Sequence, residues 1–455
     1  MAISHQVIVV GGGPAGLNAA KYAANAGADV GLIDGGVRLG GQYWRHTGNE
    51  NFDQSMHYNF DQGSLLIDAV LANARVTIYT NTAIWSASIK DDYIILRTKG
   101  REFITQRLII ATGAYDRSLP FPGWDIPGVM TAGGAQALIK GSGVVAGKKI
   151  VVAGTGPFLL SVATGIGNHG GNVVGVIEAS AKSAWLKQLF ILIRNPLKIG
   201  EGVHYLLALR NKKIPIRFKQ AVVAAHAGVD GSLESVTIAN IDSDFHITSR
   251  YQLSCDVAAI GWGFTPDMSL AGALGLDLKV ADDGTVVACV DENQRTSGAG
   301  GLVEIFAAGE STGIGGSGLS LLEGAIAGLS AAHSQKSRKD LKSMRKKAQR
   351  FARALTQVYP VRKGWDSWLT PETVICRCEE VDYQTFCYAR DELGASDARG
   401  AKLFARCGMG MCQGRVCAQN VSDLLVSDDA DRIRNVYRPI ISPITLGELT
   451  QDGLL

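Results

Sequence analysis

The sequence has no strong excess of charge, little proline and no long uninterrupted hydrophobic run. Its 455 residues include 45 Lys and Arg against 42 Asp and Glu, and a formal net charge of +3 gives no reason to expect a nucleic-acid partner. Only 12 residues are proline and 19% are charged, while 46% are hydrophobic, which excludes a disordered or fibrous chain. The chain is therefore expected to be globular, with enough residues for two or three domains.

No segment of the sequence predicts a transmembrane helix or a leader peptide. The uncharged stretch 150–167 is interrupted by Gly154, Gly156 and Pro157, so it predicts a strand, a turn and a helix. The first strand-like run, residues 6–10, begins almost at the initiator Met and leaves no room for a targeting segment. We therefore expect a cytoplasmic protein without a transmembrane segment.

Glycine, by contrast, is abundant, and three glycines form a phosphate-binding pattern. The chain holds 55 Gly, about 12% against a usual share of about 7%. After the predicted strand 6–10, the pattern GxGxxG opens a predicted helix and comprises Gly11, Gly13, Pro14, Ala15 and Gly16. Such a loop offers backbone N–H groups to a dinucleotide pyrophosphate. The next predicted strand ends at Asp34, whose carboxylate can accept a hydrogen bond from a ribose hydroxyl.

Three further segments resemble signatures of flavoproteins with two dinucleotide-binding domains. They are the loop LGGQ at 39–42, the strand and turn LIIATG at 108–113, and the segment IFAAGE at 305–310. The resemblance implies that FAD lies across these segments and that Glu310 contacts its ribityl chain. The residues that it places at the cofactor are Gly40, Gly41, Gln42, Ala111, Thr112, Gly113, Gly309 and Glu310. Asp34 departs from the Glu that such proteins usually carry at its position.

A second copy of the same strand, turn and helix pattern lies between these signatures. It reads KKIVVAGTGPFLL from residue 148, and the strand after it ends at Glu178. Gly154 and Gly156 occupy the first two glycine positions, but Leu159 stands at the third, where a side chain would push the helix away from the strand. Two interpretations remain open: a site for NAD(P) or another adenine nucleotide, and a retained scaffold.

The sequence also lacks the cysteines of a flavin-linked disulfide. No Cys follows Gly40 and Gly41, and the inserted segment contains no CxxC, which excludes the chemistry of thioredoxin reductase and glutathione reductase. No general base stands out, so the catalytic residues are unknown. Tyr43, Trp44 and His46 follow the LGGQ loop, and we expect them to pack around a cofactor or an interface.

A basic segment follows the last flavin signature. Residues 336–353 carry nine Lys or Arg and one acid, Asp340. Such a run can dock nucleic acid or an acidic partner. Because only one aromatic residue, Phe351, lies among these charges, we favour a solvated helix that joins two domains.

Six of the eight cysteines lie between Cys376 and Cys417. Two close pairs, CysArgCys at 376–378 and Cys412 with Cys417, can hold a metal centre, because thiolate is the preferred ligand of zinc and of iron–sulfur clusters. Structural zinc ligands usually have two or more residues between them, so the CxC pair favours iron over the zinc alternative.

The residues around these cysteines carry a more specific resemblance. CRCEEV at 376–381 and RCGMGMCQGRVC at 406–417 resemble the 2Fe-2S domain of bacterioferritin-associated ferredoxin and of several dehydrogenases. The resemblance implies four cluster ligands, Cys376, Cys378, Cys412 and Cys417. Cys407 and Cys387 are left as spare thiols. The alternative is that Cys407 is a ligand and Cys417 is released.

Over nearly the whole chain the order of segments resembles the larger flavoprotein subunit of opine oxidases, hydrogen cyanide synthase and heteromeric proline or hydroxyproline dehydrogenases. PFPGW at 120–124, TAGGAQ at 131–136, GWGFTP at 261–266 and PITLGEL at 443–449 support it. The implied fold is α/β, with two Rossmann-like dinucleotide-binding domains, the second inserted in the first, and a small, mainly helical C-terminal 2Fe-2S domain. The expected ranges are an FAD-binding domain at 1–120 and 298–335, an inserted NAD(P)-binding-like domain at 121–297, a basic helical linker at 336–370, and a cysteine domain with its tail at 371–455.

The resemblance implies an electron-transfer subunit containing FAD and a 2Fe-2S cluster. Its expected partner is a catalytic FAD-containing subunit that oxidises the C–N bond of an amino or imino acid, and a small ferredoxin-like subunit is a further candidate. Two alternatives stay open: a self-sufficient NAD(P)H-dependent oxidoreductase, and a scaffold that holds a catalytic partner without carrying electrons.

Overall fold

The computed structural model describes residues 2–49, 59–188, 191, 193–298, 300 and 302–451. Within these residues the chain divides into two compact units. The first unit comprises residues 2–114, 265–352 and 433–451, and the second comprises residues 115–264 and 353–432. Among the described residues no helix is both long enough and apolar enough to cross a membrane.

The strands are, in chain order, β1 (Ile3–Ser4), β2 (Val7–Val10), β3 (Val30–Ile33), β4 (Val76–Tyr79), β5 (Ile84–Lys90), β6 (Tyr93–Thr98), β7 (Arg101–Thr105), β8 (Arg107–Ile110), β9 (Ala114–Asp116), β10 (Val129–Thr131), β11 (Lys149–Gly154), β12 (Asn172–Glu178), β13 (Ile216–Phe218), β14 (Gln220–Ala227), β15 (Leu233–Ile241), β16 (Ile247–Ser254), β17 (Val257–Gly261), β18 (Phe264–Pro266), β19 (Leu278–Val280), β20 (Val286–Ala288), β21 (Glu304–Ala307), β22 (Val374–Cys376) and β23 (Val381–Asp382).

The α-helices are α1 (Pro14–Asn25), α2 (Phe60–Leu71), α3 (Ala132–Ser142), α4 (Phe158–Asn168), α5 (Pro196–Asn211), α6 (Ser269–Ala273), α7 (Gly316–Ala331), α8 (Lys339–Val358), α9 (Tyr383–Asp391), α10 (Ala398–Ala405), α11 (Ala418–Leu424), α12 (Asp429–Arg434) and α13 (Leu446–Gln451). Short 3-10 helices span Lys182–Gln188, Gly309–Thr312 and Lys363–Trp368.

The first unit is built on a parallel five-stranded sheet in the order β21-β8-β2-β3-β4. Strands β2 and β3 are buried along their whole length, as expected of a parallel sheet covered on both faces. A second sheet, β1-β7-β6-β5, and the antiparallel pair β19-β20 complete the unit. The central strand β2 runs directly into α1, which is the arrangement that the glycine pattern predicts.

Helices α1 and α7 pack with their backbones in contact. A Cβ on Gly324 would lie 2.1 Å from the backbone oxygen of Ala15, and one on Gly328 would lie 2.3 Å from that of Ala19. The two glycines are one turn apart and face small residues on α1, so no larger side chain separates the helices. This close approach holds the start of α1 against the segment that contains Gly309.

The second unit repeats the design of the first. Its parallel sheet has the order β10-β17-β11-β12-β13, with β11 at the centre and running into α4. An antiparallel three-stranded sheet, β14-β15-β16, is formed by the residues between β13 and β17. The predicted α/β fold class with two Rossmann-like folds is therefore confirmed.

The cysteine-rich segment shares a hydrophobic core with the inserted fold of this second unit. Trp368 stacks on Phe245 and donates its indole N–H to the Phe245 carbonyl at 2.9 Å. Trp124 likewise donates to the carbonyl of Val374 at 2.6 Å. Arg117 pairs with Asp423 of α11 at 3.0 Å, with both side chains largely buried. The helices around the cysteines are thus fixed to the inserted fold by aromatic packing and by a shielded ion pair.

Two segments lie in a different unit from the one that their predicted domain range suggests. Residues 265–297, expected in the inserted domain, belong to the first unit, because Leu276, Leu278 and Ala288 join the core beside the first parallel sheet. The tail from residue 433 also belongs to the first unit. Ile441 is buried there, and its N–H bonds the carbonyl of Trp85 at 2.8 Å.

The glycine contact between α1 and α7 predicts a large cost for one added methyl group. Gly324→Ala places a Cβ against a backbone oxygen that cannot rotate away, so we expect a loss of about 1–3 kcal/mol in the free energy of unfolding. Gly318→Ala is the matched control on the same helix, because nothing lies within 4 Å of its added Cβ. Urea unfolding of both variants tests this, and equal stability would contradict the close packing.

Candidate functional site

The phosphate-binding pattern forms a turn in which two glycines cannot be replaced. A Cβ on Gly11 would lie 2.1 Å from the carbonyl oxygen of Ala111, and one on Gly16 would lie 1.7 Å from that of Gly11. Gly11 also has a φ of +111°, which favours glycine. Gly13 differs, since the nearest atom to its added Cβ is the Cα of Gly41 at 3.9 Å. The space over Gly13 is thus open, as a group approaching the backbone there requires.

The start of α1 is arranged to receive an anion. Gly13 is the N-cap in extended conformation and Pro14 opens the helix, where its missing N–H costs no hydrogen bond. Ala15 and Gly16 follow, both buried. The first N–H groups of α1 have no partners within the helix, so they favour phosphate oxygens at this end.

The LGGQ loop lies directly against this turn. Gly40 donates its N–H to the Gly12 carbonyl at 2.8 Å, and a Cβ on Gly41 would lie 2.8 Å from the Cα of Gly13. Asp34, at the end of β3, accepts hydrogen bonds from the N–H groups of Gly12 and Gly36. The predicted acidic residue therefore lies beside the glycine turn. Gln42 is exposed, and its side-chain oxygen accepts from Arg45 at 2.8 Å.

The segment after β8 closes the other side of the turn. Ala111 donates its N–H to the Val10 carbonyl at 2.8 Å, and its own carbonyl is the atom that excludes a side chain at Gly11. The Thr112 hydroxyl donates to the carbonyl of Asp267 at 2.8 Å. Gly113 follows with a φ of +74°. Residues 111–113 thus lie at the carboxyl end of the parallel sheet, the usual position of ligands in such folds.

Gly309 and Glu310 lie beside the start of α1 and border the same site. A Cβ on Gly309 would lie 2.8 Å from the Cβ of Ala15, which places this turn at the start of α1. The Glu310 carboxylate accepts hydrogen bonds from the N–H groups of Gly315 and Gly316 at 3.2 and 2.9 Å. Burial raises the pKa of Glu310 to about 7, and these two hydrogen bonds oppose the shift. Near neutral pH its carboxyl group can therefore hold or release a proton.

A second carboxylate, which no sequence motif marks, fixes that turn. Glu323 on α7 is 1% exposed and accepts hydrogen bonds from the Gly309 N–H at 3.0 Å and the Thr312 hydroxyl at 2.7 Å. Its other oxygen pairs with Arg345 of α8 at 3.1 Å, and the Arg345 side chain is 12% exposed. The signal for this pair was a single acid inside the apolar sequence of α7, since a buried charge requires a partner.

The aromatic residues after the LGGQ loop pack beside it. Trp44 is buried and its ring lies against Gly63 of α2. Tyr43 makes an edge contact with Trp44, and the His46 ring lies 3.1 Å from the Leu39 carbonyl oxygen.

The second glycine turn packs differently against its helix, because a leucine replaces the third glycine. A Cβ on Gly154 would lie 1.8 Å from the Gly261 carbonyl oxygen, whereas nothing lies within 4 Å of one on Gly156. Leu159 is fully buried, and its Cδ2 would lie 3.2 Å from a Cβ on Gly261. The missing side chain at Gly261 leaves room for the leucine that stands at the third position of the pattern.

The carboxylate of Glu178 is enclosed by its own turn. It accepts from the Thr155 hydroxyl at 2.7 Å and from the N–H groups of Gly156 and Ser180 at 2.9 and 2.8 Å. Glu178 is 6% exposed, and burial raises its pKa. These hydrogen bonds hold the carboxylate inside the turn.

The four predicted ligand thiols lie together in the second unit. The sulfur of Cys376 lies 3.7 Å from that of Cys417 and 4.0 Å from that of Cys378, which in turn lies 3.6 Å from that of Cys412. Strand β22 ends at Cys376, and α11 begins after Cys417. The four thiols form a chain of sulfur contacts. Across the described residues no group of three or more His, Cys, Asp or Glu has the arrangement of a metal site.

The buried cysteines of this segment differ in the pKa of their thiols. The Cys417 thiol donates to Cys376, the Gly408 N–H also lies on that sulfur at 3.5 Å, and these hydrogen bonds lower the pKa of Cys376 to about 5. Cys407 is buried too, but burial and the charge of Cys376 raise its pKa to about 12. Cys387 lies on α9, where Arg390 donates to its sulfur at 3.7 Å.

Three comparisons agree on the kind of protein. Residues 5–335 match the family described as pyridine nucleotide-disulphide oxidoreductase. The chain is 30% identical to an opine oxidase subunit of Agrobacterium tumefaciens (strain Ach5), with 98% of this chain and 91% of that protein aligned. It is 31% identical to the HcnB subunit of hydrogen cyanide synthase of Pseudomonas protegens, over 92% and 91% of the two chains.

Among solved structures, L-proline dehydrogenase from P. horikoshii matches with a TM-score of 0.69 at 20% identity, covering 98% of this chain and 80% of that one. At this identity the likeness shows a shared fold. The family match and the curated relatives cover the described turns of both units. The chain therefore belongs to the pyridine nucleotide-disulphide oxidoreductase family, as a flavin-dependent oxidoreductase subunit of the group that includes these opine oxidase and hydrogen cyanide synthase chains.

Proposed function

We propose that this chain is the electron-transfer subunit of a heteromeric dehydrogenase or oxidase that acts on the C–N bond of an amino or imino acid, of the opine, proline or hydroxyproline, glycine or sarcosine type. The observation that carries the proposal is the meeting of four thiols, in close pairs, in the same chain as a dinucleotide turn open over Gly13. The names of the relatives support the substrate class. The catalytic chemistry is assigned to a partner subunit.

The residues around the first turn fit FAD. The N–H groups at the start of α1 would hold its pyrophosphate, Asp34 its ribose and Glu310 its ribityl chain. When bound, FAD accepts an electron pair and can release electrons singly. Gly13 leaves the backbone accessible, and Gly41 fixes the loop that lies beside it.

Gly13→Ala separates this binding role from a structural one. The added Cβ makes only an ordinary contact, at 3.9 Å from Gly41, so we expect unchanged thermal stability of the flavin-free protein. It occupies the approach of the pyrophosphate, so the flavin-to-protein ratio from absorbance should fall severalfold. Gly16→Ala is the contrasting variant, expected not to fold, because its Cβ would lie 1.7 Å from a backbone oxygen. Full flavin content in Gly13→Ala would contradict this assignment.

Glu323 and Arg345 position the turn that carries Glu310. The buried carboxylate holds the Gly309 N–H and the Thr312 hydroxyl, and Arg345 balances its charge from α8. Burial raises the pKa of Glu323, and the guanidinium of Arg345 opposes that shift. Arg345, a residue of the basic segment, thus neutralises a buried acid of its own unit, next to the proposed flavin site.

Arg345→Gln is expected to destabilise the first unit by roughly 3–5 kcal/mol at alkaline pH, because it leaves a buried carboxylate unpaired. The loss of Arg345 raises the pKa of Glu323 further. The folded protein then gains a proton more readily than the unfolded chain, so the destabilisation shrinks as the pH falls. Urea unfolding at several pH values measures this.

Lys342→Gln is the control on the same helix, because Lys342 pairs with the exposed Glu292 at 2.8 Å. We expect that variant to change stability little at any pH. A pH-independent loss in Arg345→Gln would contradict the assigned role of the pair.

The thiols fit a 2Fe-2S cluster as a donor set. Such a cluster takes four thiolates, and the pairs Cys376 with Cys417 and Cys378 with Cys412 have sulfur distances of 3.7 and 3.6 Å. An iron–sulfur cluster carries one electron at a time. Cys407 is buried, and the sulfur contacts that link the four proposed ligands do not include it. Zinc, which also takes four thiolates, is the alternative metal.

Cys412→Ser should reduce bound iron to less than half and abolish amine-dependent dye reduction by the complex, while partner binding is retained. Elemental analysis for iron and zinc and copurification measure these outcomes. Cys407→Ser is the matched variant that should keep its iron, and Cys289→Ser, in the other unit, is the general control. Zinc in place of iron, or unchanged dye reduction in Cys412→Ser, would contradict the proposal.

The self-sufficient NAD(P)H-dependent alternative has weaker support. The Glu178 carboxylate would have to reach a ribose, yet three donors of its own turn engage it and it is 6% exposed. Leu159 also replaces the third glycine of the pattern. These features favour a scaffold role for the second fold, so we assign the entry of electrons to the partner subunit.

A further inference from the structure

Four large apolar side chains lie exposed in the segment that leads to Cys412, although such residues are normally buried. Cys412 and Cys378 are the two thiols of the cluster that reach the solvent. Leu403 is 69% exposed, Phe404 53%, Met409 46% and Met411 83%, all within nine residues that end next to Cys412. We call these four residues the outer patch. Exposed apolar side chains that cluster in one segment are a feature of interaction surfaces.

The outer patch is held rigidly to the thiols by the backbone that carries it. Helix α10 turns Ala398, Ala401 and Ala405 into the core, which leaves Leu403 and Phe404 outside. Arg406 ends the helix in the left-handed conformation, with a φ of +62°. The chain then passes directly over the sulfurs.

In the segment 408–411, residues that face the sulfur atoms alternate with residues that are exposed to solvent. The N–H of Gly408 lies on the Cys376 sulfur at 3.5 Å, and a Cβ on Gly410 would lie 2.4 Å from the Cys378 sulfur. Met409 and Met411, between and after them, are the exposed residues. One side of this segment therefore faces the thiols and the other carries the patch, so a protein bound to the patch lies close to Cys378 and Cys412.

The charge beside the patch is mainly basic. Residues 398–422 contain Arg399, Lys402, Arg406 and Arg415 and no Asp or Glu. The flanking acids are engaged, since Asp397 caps α10 and Asp423 pairs with Arg117. Arg406 reaches Glu379 at 2.8 Å yet its side chain remains 65% exposed. A basic rim around an apolar centre is complementary to a protein with an acidic rim. Small, salt-sensitive contact areas of this kind are typical of electron-transfer encounters.

We propose that the outer patch is the docking surface for a small acidic redox protein. The proposal rests on the proposed function, because it takes the neighbouring thiols as the electron-carrying site. The exposed methionines adapt to the surface of the bound protein, and the arginines and lysine of the rim steer it.

The test measures binding and not turnover. An acidic plant-type ferredoxin and the basic mitochondrial cytochrome c, both small redox proteins, are titrated into the oxidised full chain by isothermal calorimetry at low and high salt. We expect the ferredoxin to bind, more weakly at high salt, and the cytochrome not to bind. Binding of both alike, or of neither, would overturn the proposal.

Matched variants localise the contact. Leu403→Ser combined with Met411→Ser should weaken ferredoxin binding at least about tenfold, as expected for central apolar contacts, and Arg399→Glu should weaken it and flatten its salt dependence. Leu207→Ser on α5, 54% exposed, and Arg250→Glu on β16 are the controls in the same unit. Unchanged affinity in the patch variants would overturn the proposal.

The iron content of the wild-type chain is measured in parallel. A chain without iron that still binds ferredoxin through the patch contradicts the proposed function alone. A chain with iron whose patch variants bind normally contradicts the docking surface alone.

Discussion

The contact of backbone on backbone at the start of α1 is the constraint on which the first unit depends. Gly16 lies against the Gly11 carbonyl, Gly11 against that of Ala111, and Gly324 against that of Ala15. Each contact leaves no space for a methyl group, so the strand, the turn and both helices pack with their backbones in direct contact. The anion-attracting end of α1, the Asp34 carboxylate and the Gly309 turn consequently meet at one edge of the sheet.

The second unit shows how the same constraint can be met with different residues. There the helix carries Leu159 where the first helix carries Gly16, and the strand opposite carries Gly261 in compensation. The residue without a side chain thus lies on the helix in the first unit and on the strand in the second. The carboxylates differ more: Asp34 lies at the side of an accessible turn, whereas Glu178 is enclosed by hydroxyl and N–H donors. A shared topology thus accommodates one turn suited to a ligand and another that is satisfied by its own chain.

Local sequence patterns predicted the parts of this molecule whose causes are local. The glycines of both turns, the acids at the ends of β3 and β12, and the cysteine pairs all lie within short segments whose chemistry depends on spacing along the chain. The ion pair of Glu323 with Arg345 could not be found in this way, because its partners lie on different helices and no periodicity relates them. The packing of Ile441 beside Trp85 is similar, since it joins residues far apart in the sequence. The exposed state of Met411 was also inaccessible, because a hydrophobic residue in a sequence gives no sign of being left in water.

The thiol cluster is asymmetric, and this asymmetry gives the cysteine segment a direction. Cys376 and Cys417 are buried, at 0% and 1% exposure, beneath the turn that contains Gly408. Cys378 is exposed and Cys412 partly so. The buried pair is anchored by β22 and α11, which share the aromatic core of the inserted fold. Gly410 lies over the sulfur of Cys378, and its lack of a side chain brings the protein surface close to that atom. Gly410 thus leaves Cys378 near the solvent, which is the arrangement that the proposed exchange of electrons with a docked protein needs.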